Sequence, residues 1–408
     1  MRRQGSFRQT AKRQLDGSIH AGRSLARRHD GALPAYERLL RQVQARTDLL
    51  HPSDRAGDSR NPLNAGLLAL ALHHADWLRP AEAWLPSRQH AWPLFTSLAH
   101  HLLARYPVPA FMTSVWFDLP PGEALPQHRW YKHLGLGQSI RSAGLPLRLT
   151  RAMAHLFSQA PHHYTAVAAL RWAQVRGLGG CEALARAVVG TRLGKALGNE
   201  DFWEGVLHFF VNRPSLDLAQ VGPVVDFLQA QKFEWTEGVS PQGVFGKHPP
   251  PRPDYSMKGR TVASVLRQVG EWHRQLGRDT NQPCLSWRHS PLKDYRLVEG
   301  SEALGNMRSW TITELLTSRA LFLEGRAMRH CVATYAERCA RRQTSIWSVQ
   351  VEDQRGRHRV LTVEVDLLKR AVCQARRKCN RLPQAGEREL MERWAAQEGL
   401  RVSESVRL

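Results

Sequence analysis

His330 and Cys331 stand side by side in this chain, an imidazole that titrates near neutral pH beside a thiol that is nucleophilic once ionised. The run Ala327 to Arg342 reads as a helix, and helical neighbours lie about 100° apart, so the two side chains point away from each other. A direct thiolate–imidazolium pair is therefore not expected. A cysteine nucleophile would take its base from elsewhere, such as His358, with Glu364 orienting it. Equally, His330 beside Glu324 and Glu364 has the composition of a general acid–base site that cleaves phosphodiesters without the thiol. Against both stands a packing role. Met328, Cys331, Val332, Tyr335 and Cys339 recur at i, i+3, i+4, i+7 and i+11, one apolar face, which makes Cys331 a small core residue. His330 shares its own face with Arg326, Thr334, Glu337 and Arg341, where Glu337 is a ready hydrogen-bond partner.

A second chemistry is phosphate contact. The chain of 408 residues carries 58 Lys and Arg against 36 Asp and Glu, a net charge of +22. All but nine of the cations are arginine, whose planar fork of donors suits phosphates and guanine edges. Arginine-favouring codons would explain that ratio, yet they would not remove acids. The surplus has two concentrations. Residues 1–28 hold eight cations and one acid, Asp16, and residues 341–381 hold eleven cations and four acids. In the latter stretch Arg341, Arg342, Arg355, Arg357, Arg359, Arg376, Arg377 and Lys378 are the candidate phosphate contacts. Trp347 could stack a base from a solvent-facing strand, but it shares its face with Val349 and Val351, which favours the core.

The elements that must position these residues follow from periodicity. Residues 1–34 read as a basic, flexible arm without an apolar period. Residues 35–300 read as all-helical. Apolar spacing begins at Tyr36, Leu39, Leu40 and Val43 and returns in several later segments, among them Phe202 to Val211 and Thr261 to Leu276. A Pro/Gly-rich linker interrupts that region at 234–259. Residues 315–400 change character. The helix from Ala327 is followed by period-two strands at Ile346 to Glu352 and Arg359 to Asp366, joined at Arg355-Gly356. A third strand follows at Ala371 to Ala375, and a helix at Ala385 to Glu398 buries Leu390, Met391 and Trp394. The expected fold is thus mainly α: a multi-helical N-terminal and central region, then a small α+β domain of helix, antiparallel three-stranded sheet and helix.

The run Leu323 to Tyr335 resembles the signature of the PcfJ-like proteins, with Glu324, Gly325, Met328, His330, Cys331, Val332 and Tyr335 standing as E-G-x-x-M-x-H-C-V-x-x-Y. The similarity continues through Gln374-Ala375-Arg376 to Asn380, where Arg377 occupies the place of the family's loop glycine. Trp172, Asn199, Phe202-Trp203 and Gly259-Arg260-Thr261 are similar to longer members, so the resemblance spans about residues 145–400. It implies a plasmid, conjugation or mobile-element setting and brings no settled biochemical activity with it.

No apolar run approaches the roughly 18 residues of a membrane span, and no apolar segment follows the N-terminal cations as a signal peptide would require. Six cysteines without a CxxC pair suit a reduced, cytoplasmic protein rather than a disulfide scaffold, and no metal site is assigned. The leading expectation is a nucleic-acid-binding protein, for DNA or RNA alike. A nuclease-like hydrolase using His330 with Glu364 or Cys331 is the alternative. A helical adaptor for an acidic protein partner is the third. No cofactor is predicted, a divalent metal entering only with the nuclease reading.

Overall fold

A computed structural model describes residues 2–47, 50, 61–86, 91–117, 126–239, 245–275, 285–301, 307–329, 332–368, 370–378 and 381–402. The chain forms two compact units, Met1–Gly177 and Leu178–Leu408. The sequence instead led us to expect a division between about 300 and 315.

The first unit is helical: α1 Arg2–Ala26, α2 Ala32–Arg46, α3 Asn61–Leu72, α4 Ala91–Leu103, α5 Pro126–Gly135, α6 Arg151–Ser158 and α7 Ala166–Gly177. The basic N-terminal segment expected as a flexible arm is thus a helix. Leu15, Ile19 and Ala26 are buried, a stripe too sparse to register as a period among so many cations. α1 packs on α2 and α3. Asn64 of α3 ties the three together, accepting the Tyr36 hydroxyl proton and donating to Ser18 Oγ at 2.9 Å. A second polar knot sits inside this unit. His128 of α5 donates from Nε2 to the Val115 carbonyl at 2.8 Å, which leaves Nδ1 to accept from His73 Nε2 at 3.0 Å. Trp116 stacks on His128 at 4.5 Å between centroids. Burial holds the His128 imidazole down at about 4.

The second unit begins with α8 Glu182–Val189, α9 Glu200–Val211 and α10 Val221–Lys232. A hairpin follows, β1 Thr236–Val239 against β2 Phe245–His248, and then α11 Val262–Gln275. The expected linker at 234–259 therefore contains two strands, and the expected all-helical region does not run unbroken to 300. The remaining elements are β3 Tyr295–Glu299, β4 Arg308–Glu314, α12 Ser318–Met328, α13 Ala336–Ala340, β5 Thr344–Asp353, β6 Gly356–Asp366, β7 Ala371–Arg376, α14 Ala385–Gln397 and β8 Arg401–Val402.

Strands β3 to β8 form one six-stranded sheet in sequence order, antiparallel except for the parallel β7–β8 pair. The three expected strands are its centre, β5–β6–β7. Their alternation places Trp347, Val349, Leu361, Val363, Val365, Val372 and Ala375 on one face. That face buries Leu390, Met391, Trp394 and Ala395 of α14. Trp347 is fully buried, 4.8 Å from Trp394 between centroids, so it does not present a ring for base stacking. α12 and α13 belong to the opposite face, which carries Ile346, Ser348, Thr362 and Glu364.

Candidate functional site

The motif segment is built on α12. Thr317 caps it, its hydroxyl accepting the Ala320 N–H at 3.0 Å. It stops where Arg329 turns left-handed at φ 54° and donates its N–H to the Gly325 carbonyl. A single helix over Ala327 to Arg342 is therefore not formed. A 3-10 turn over Val332–Tyr335 leads into α13 instead. His330 and Cys331 lie outside the described residues, as does Asn380. Of the expected apolar face, Met328, Val332 and Cys339 are buried, and Tyr335 packs against the Leu321–Val332–Cys339–Ile346 cluster. Burial pushes the Cys339 thiol up to about 12, which makes it inert.

Glu324, the motif acid, is fully buried against the sheet. Its carboxylate accepts from Ser348 Oγ at 2.9 Å, Thr362 Oγ1 at 2.7 Å and Arg359 Nε at 2.7 Å. Burial raises its pKa, and these donors oppose the rise. The arrangement is a clamp of helix to sheet, with no face of the carboxylate left for a substrate.

Glu364 of β6 forms an ion pair with Arg338 at 3.1 Å. Opposite it the β6–β7 register slips at Val365, so Cys373 is the extra residue of a bulge and Gln374 pairs with Glu364. These residues line a cavity of about 1090 Å³ bounded by α8, α10, the Val332–Tyr335 turn and β5–β7. Lys195 and Arg376 also line it. The motif residues Tyr335 and Gln374 are thus brought to one cavity with Glu364. Lys195, Asp226 and Trp272 of the same wall were not expected, because nothing local in their sequence marks them.

The expected phosphate contacts separate into two groups. Arg341 pairs with Glu337 at 2.9 Å, Arg377 with Glu387 at 3.1 Å, and Arg359 with Glu324. Arg376 is only 5% exposed and donates to the Gly190 carbonyl at 2.8 Å, so it is a cation of the interior. Arg342, Arg355, Arg357 and Lys378 are exposed. The β5–β6 hairpin leaves the core at its tip, where residues 354–359 are all exposed. The register puts Arg296, Thr311, Gln350 and Arg359 in one row across four strands, with Arg357 two residues from Arg359 on the same face. Arg296 was missed with β3 itself, although Tyr295 and Leu297 alternate as a strand should.

Among the described residues no group of three or more His, Cys, Asp or Glu side chains is placed to hold a metal ion, and no helix is long and apolar enough to cross a membrane. No curated protein and no solved structure matches the chain. A match does come from the family described as PcfJ-like protein, over residues 289–391, the stretch holding β3 to β7, the Glu324 clamp and the first half of α14; it is this part of the chain that is similar to the PcfJ-like family.

Proposed function

We propose that the chain binds nucleic acid through the distal end of its six-stranded sheet, with Arg296, Arg355 and Arg357 on phosphates and Arg342 and Lys378 as further exposed cations. The observation that carries this reading is the hairpin tip, where six consecutive exposed residues include Arg355, Arg357 and Arg359. A two-stranded ribbon of this kind has the width to enter a major groove, and guanidinium groups along it can pair with phosphates on either side. Arg359 gives its Nε to Glu324, which leaves only its Nη donors for a phosphate. The family resemblance supports a mobile-element setting, and six cysteines without a CxxC pair support a cytoplasmic location, with DNA and RNA both open as ligands.

Salt dependence tests this. Titrating duplex DNA, duplex RNA and single strands against the full chain, log K should fall with log salt at a slope of about −3 or steeper, roughly 0.9 per phosphate contact on B-DNA. A flat dependence overturns the reading. If a stoichiometric acidic protein is retained while nucleic acid is not, the adaptor alternative takes its place. Parallel incubations with and without a divalent cation test hydrolysis through Glu364 and the His330-Cys331 pair.

A further inference from the structure

The cavity beside the six-stranded sheet is lined by six cations and six acids, and the hairpin reading does not use the corner where two of those cations stand without an acid at contact. Arg376 is buried, and among the described residues its guanidinium meets only neutral carbonyls, those of Ala375 at 3.1 Å and Gly190 at 2.8 Å. A buried cation of this kind is expected to have a carboxylate or another anion at contact. Asp226 attracts it electrostatically. Lys195 lines the same cavity, and its ammonium group makes no hydrogen bond or ion pair with a described residue, the backbone N–H alone donating to the Arg192 carbonyl at 3.0 Å. Glu364, the acid that attracts Lys195 most, is paired with Arg338 at 3.1 Å. Desolvation within the cavity wall lowers the Lys195 pKa most, Glu364 opposes it, and Arg376 and Arg338 lower it further, although the side chain keeps an exposed surface towards the cavity. Two cations therefore face one space and repel each other across it.

We propose that this cavity binds a phosphate monoester, with Arg376 and Lys195 receiving the phosphate dianion and Tyr335 and Trp272 walling the group that carries it. An anion between the two cations supplies the contact that Arg376 lacks and relieves the repulsion. The cavity, about 1090 Å³, lies at the upper end of small-molecule sites and accommodates a nucleotide. The same chemistry is offered by a free mononucleotide and by the terminal phosphate of a strand. The proposal does not depend on the hairpin contacting nucleic acid.

Calorimetric titration of the full chain with AMP, inorganic phosphate and adenosine tests it, together with anisotropy of a labelled oligonucleotide with and without a 5′-phosphate. AMP should saturate one site. Lys195→Gln, a change at an exposed side chain, should weaken it about tenfold or more, the loss typical of one charge-assisted contact. Arg355→Glu/Arg357→Glu should leave AMP binding unchanged. A gain from the 5′-phosphate assigns the site to strand ends, and binding of AMP without such a gain assigns it to free nucleotides. No saturable binding of any phosphate probe, adenosine binding as tightly as AMP, a Lys195→Gln variant equal to the wild type, or loss of AMP binding in the hairpin variant would each overturn the proposal.

Discussion

Arg359 donates through Nε to the Glu324 carboxylate at 2.7 Å, linking the root of the exposed hairpin to a fully buried acid on α12. One side chain is thus shared between the basic tip and the clamp that holds the motif helix to the sheet. Because the clamp also takes the Ser348 and Thr362 hydroxyls, its stability is tied to the protonation of one carboxyl group.

Glu324 has a pKa raised in the fold, so the folded state holds its proton more firmly than the unfolded chain does. Its contribution is therefore full below the ordinary carboxylate value and falls as pH rises through the folded one. Arg359→Met removes the charge that opposes the rise. We expect it to cost about 1–3 kcal/mol at neutral pH, reduced from a fully buried pair because Arg359 is partly exposed, and to recover much of that in mild acid. Urea unfolding at the two pH values checks this, and an equal loss at both would contradict it.

In the first unit the sign is opposite. His128 is held at about 4 against an ordinary 6.5, so the unfolded chain binds the proton more readily. Stability should be complete above about 6.5 and decline as pH falls towards 4, by about 3 kcal/mol for this group. Hydrogen exchange of α5 amides should accelerate through that window, and His128→Gln should flatten the dependence. An unchanged slope in the variant would assign the effect to other groups.

Gly22 tests whether α1 is packed. A Cβ at this position would lie 2.5 Å from the Tyr36 hydroxyl oxygen, the group that bonds Asn64. Gly22→Val should therefore lower stability by about 1–3 kcal/mol, as overpacking does. Thermal unfolding checks it. A free basic arm would tolerate the change without effect.

The central strands were legible because Leu361, Val363 and Val365 alternate and Trp347 shares a face with Val349. The same alternation is present at Trp310 and Ile312 of β4, but with only two large apolar residues among Ser309, Thr311 and Thr313 it is a weaker signal. β8 has two residues, too few for any period. The break at Arg329 carried no mark, since an arginine does not announce a left-handed backbone as glycine or asparagine does. Charge misled at Arg376, which counts as a surface cation in the sequence and is interior in the fold. The cavity was invisible for a different reason. Its wall joins Lys195 to Glu364 and Arg376, residues far apart in the chain with no shared local pattern.

The most direct measurement is the salt slope of nucleic-acid binding for the wild type and for Arg296→Glu/Arg355→Glu/Arg357→Glu, three exposed positions at one end of the sheet. The variant should keep the wild-type circular dichroism and melting temperature while its slope becomes shallower by about two to three units and its affinity falls at low salt. A variant that binds with the wild-type slope and affinity would contradict the placement of the interface at the hairpin end.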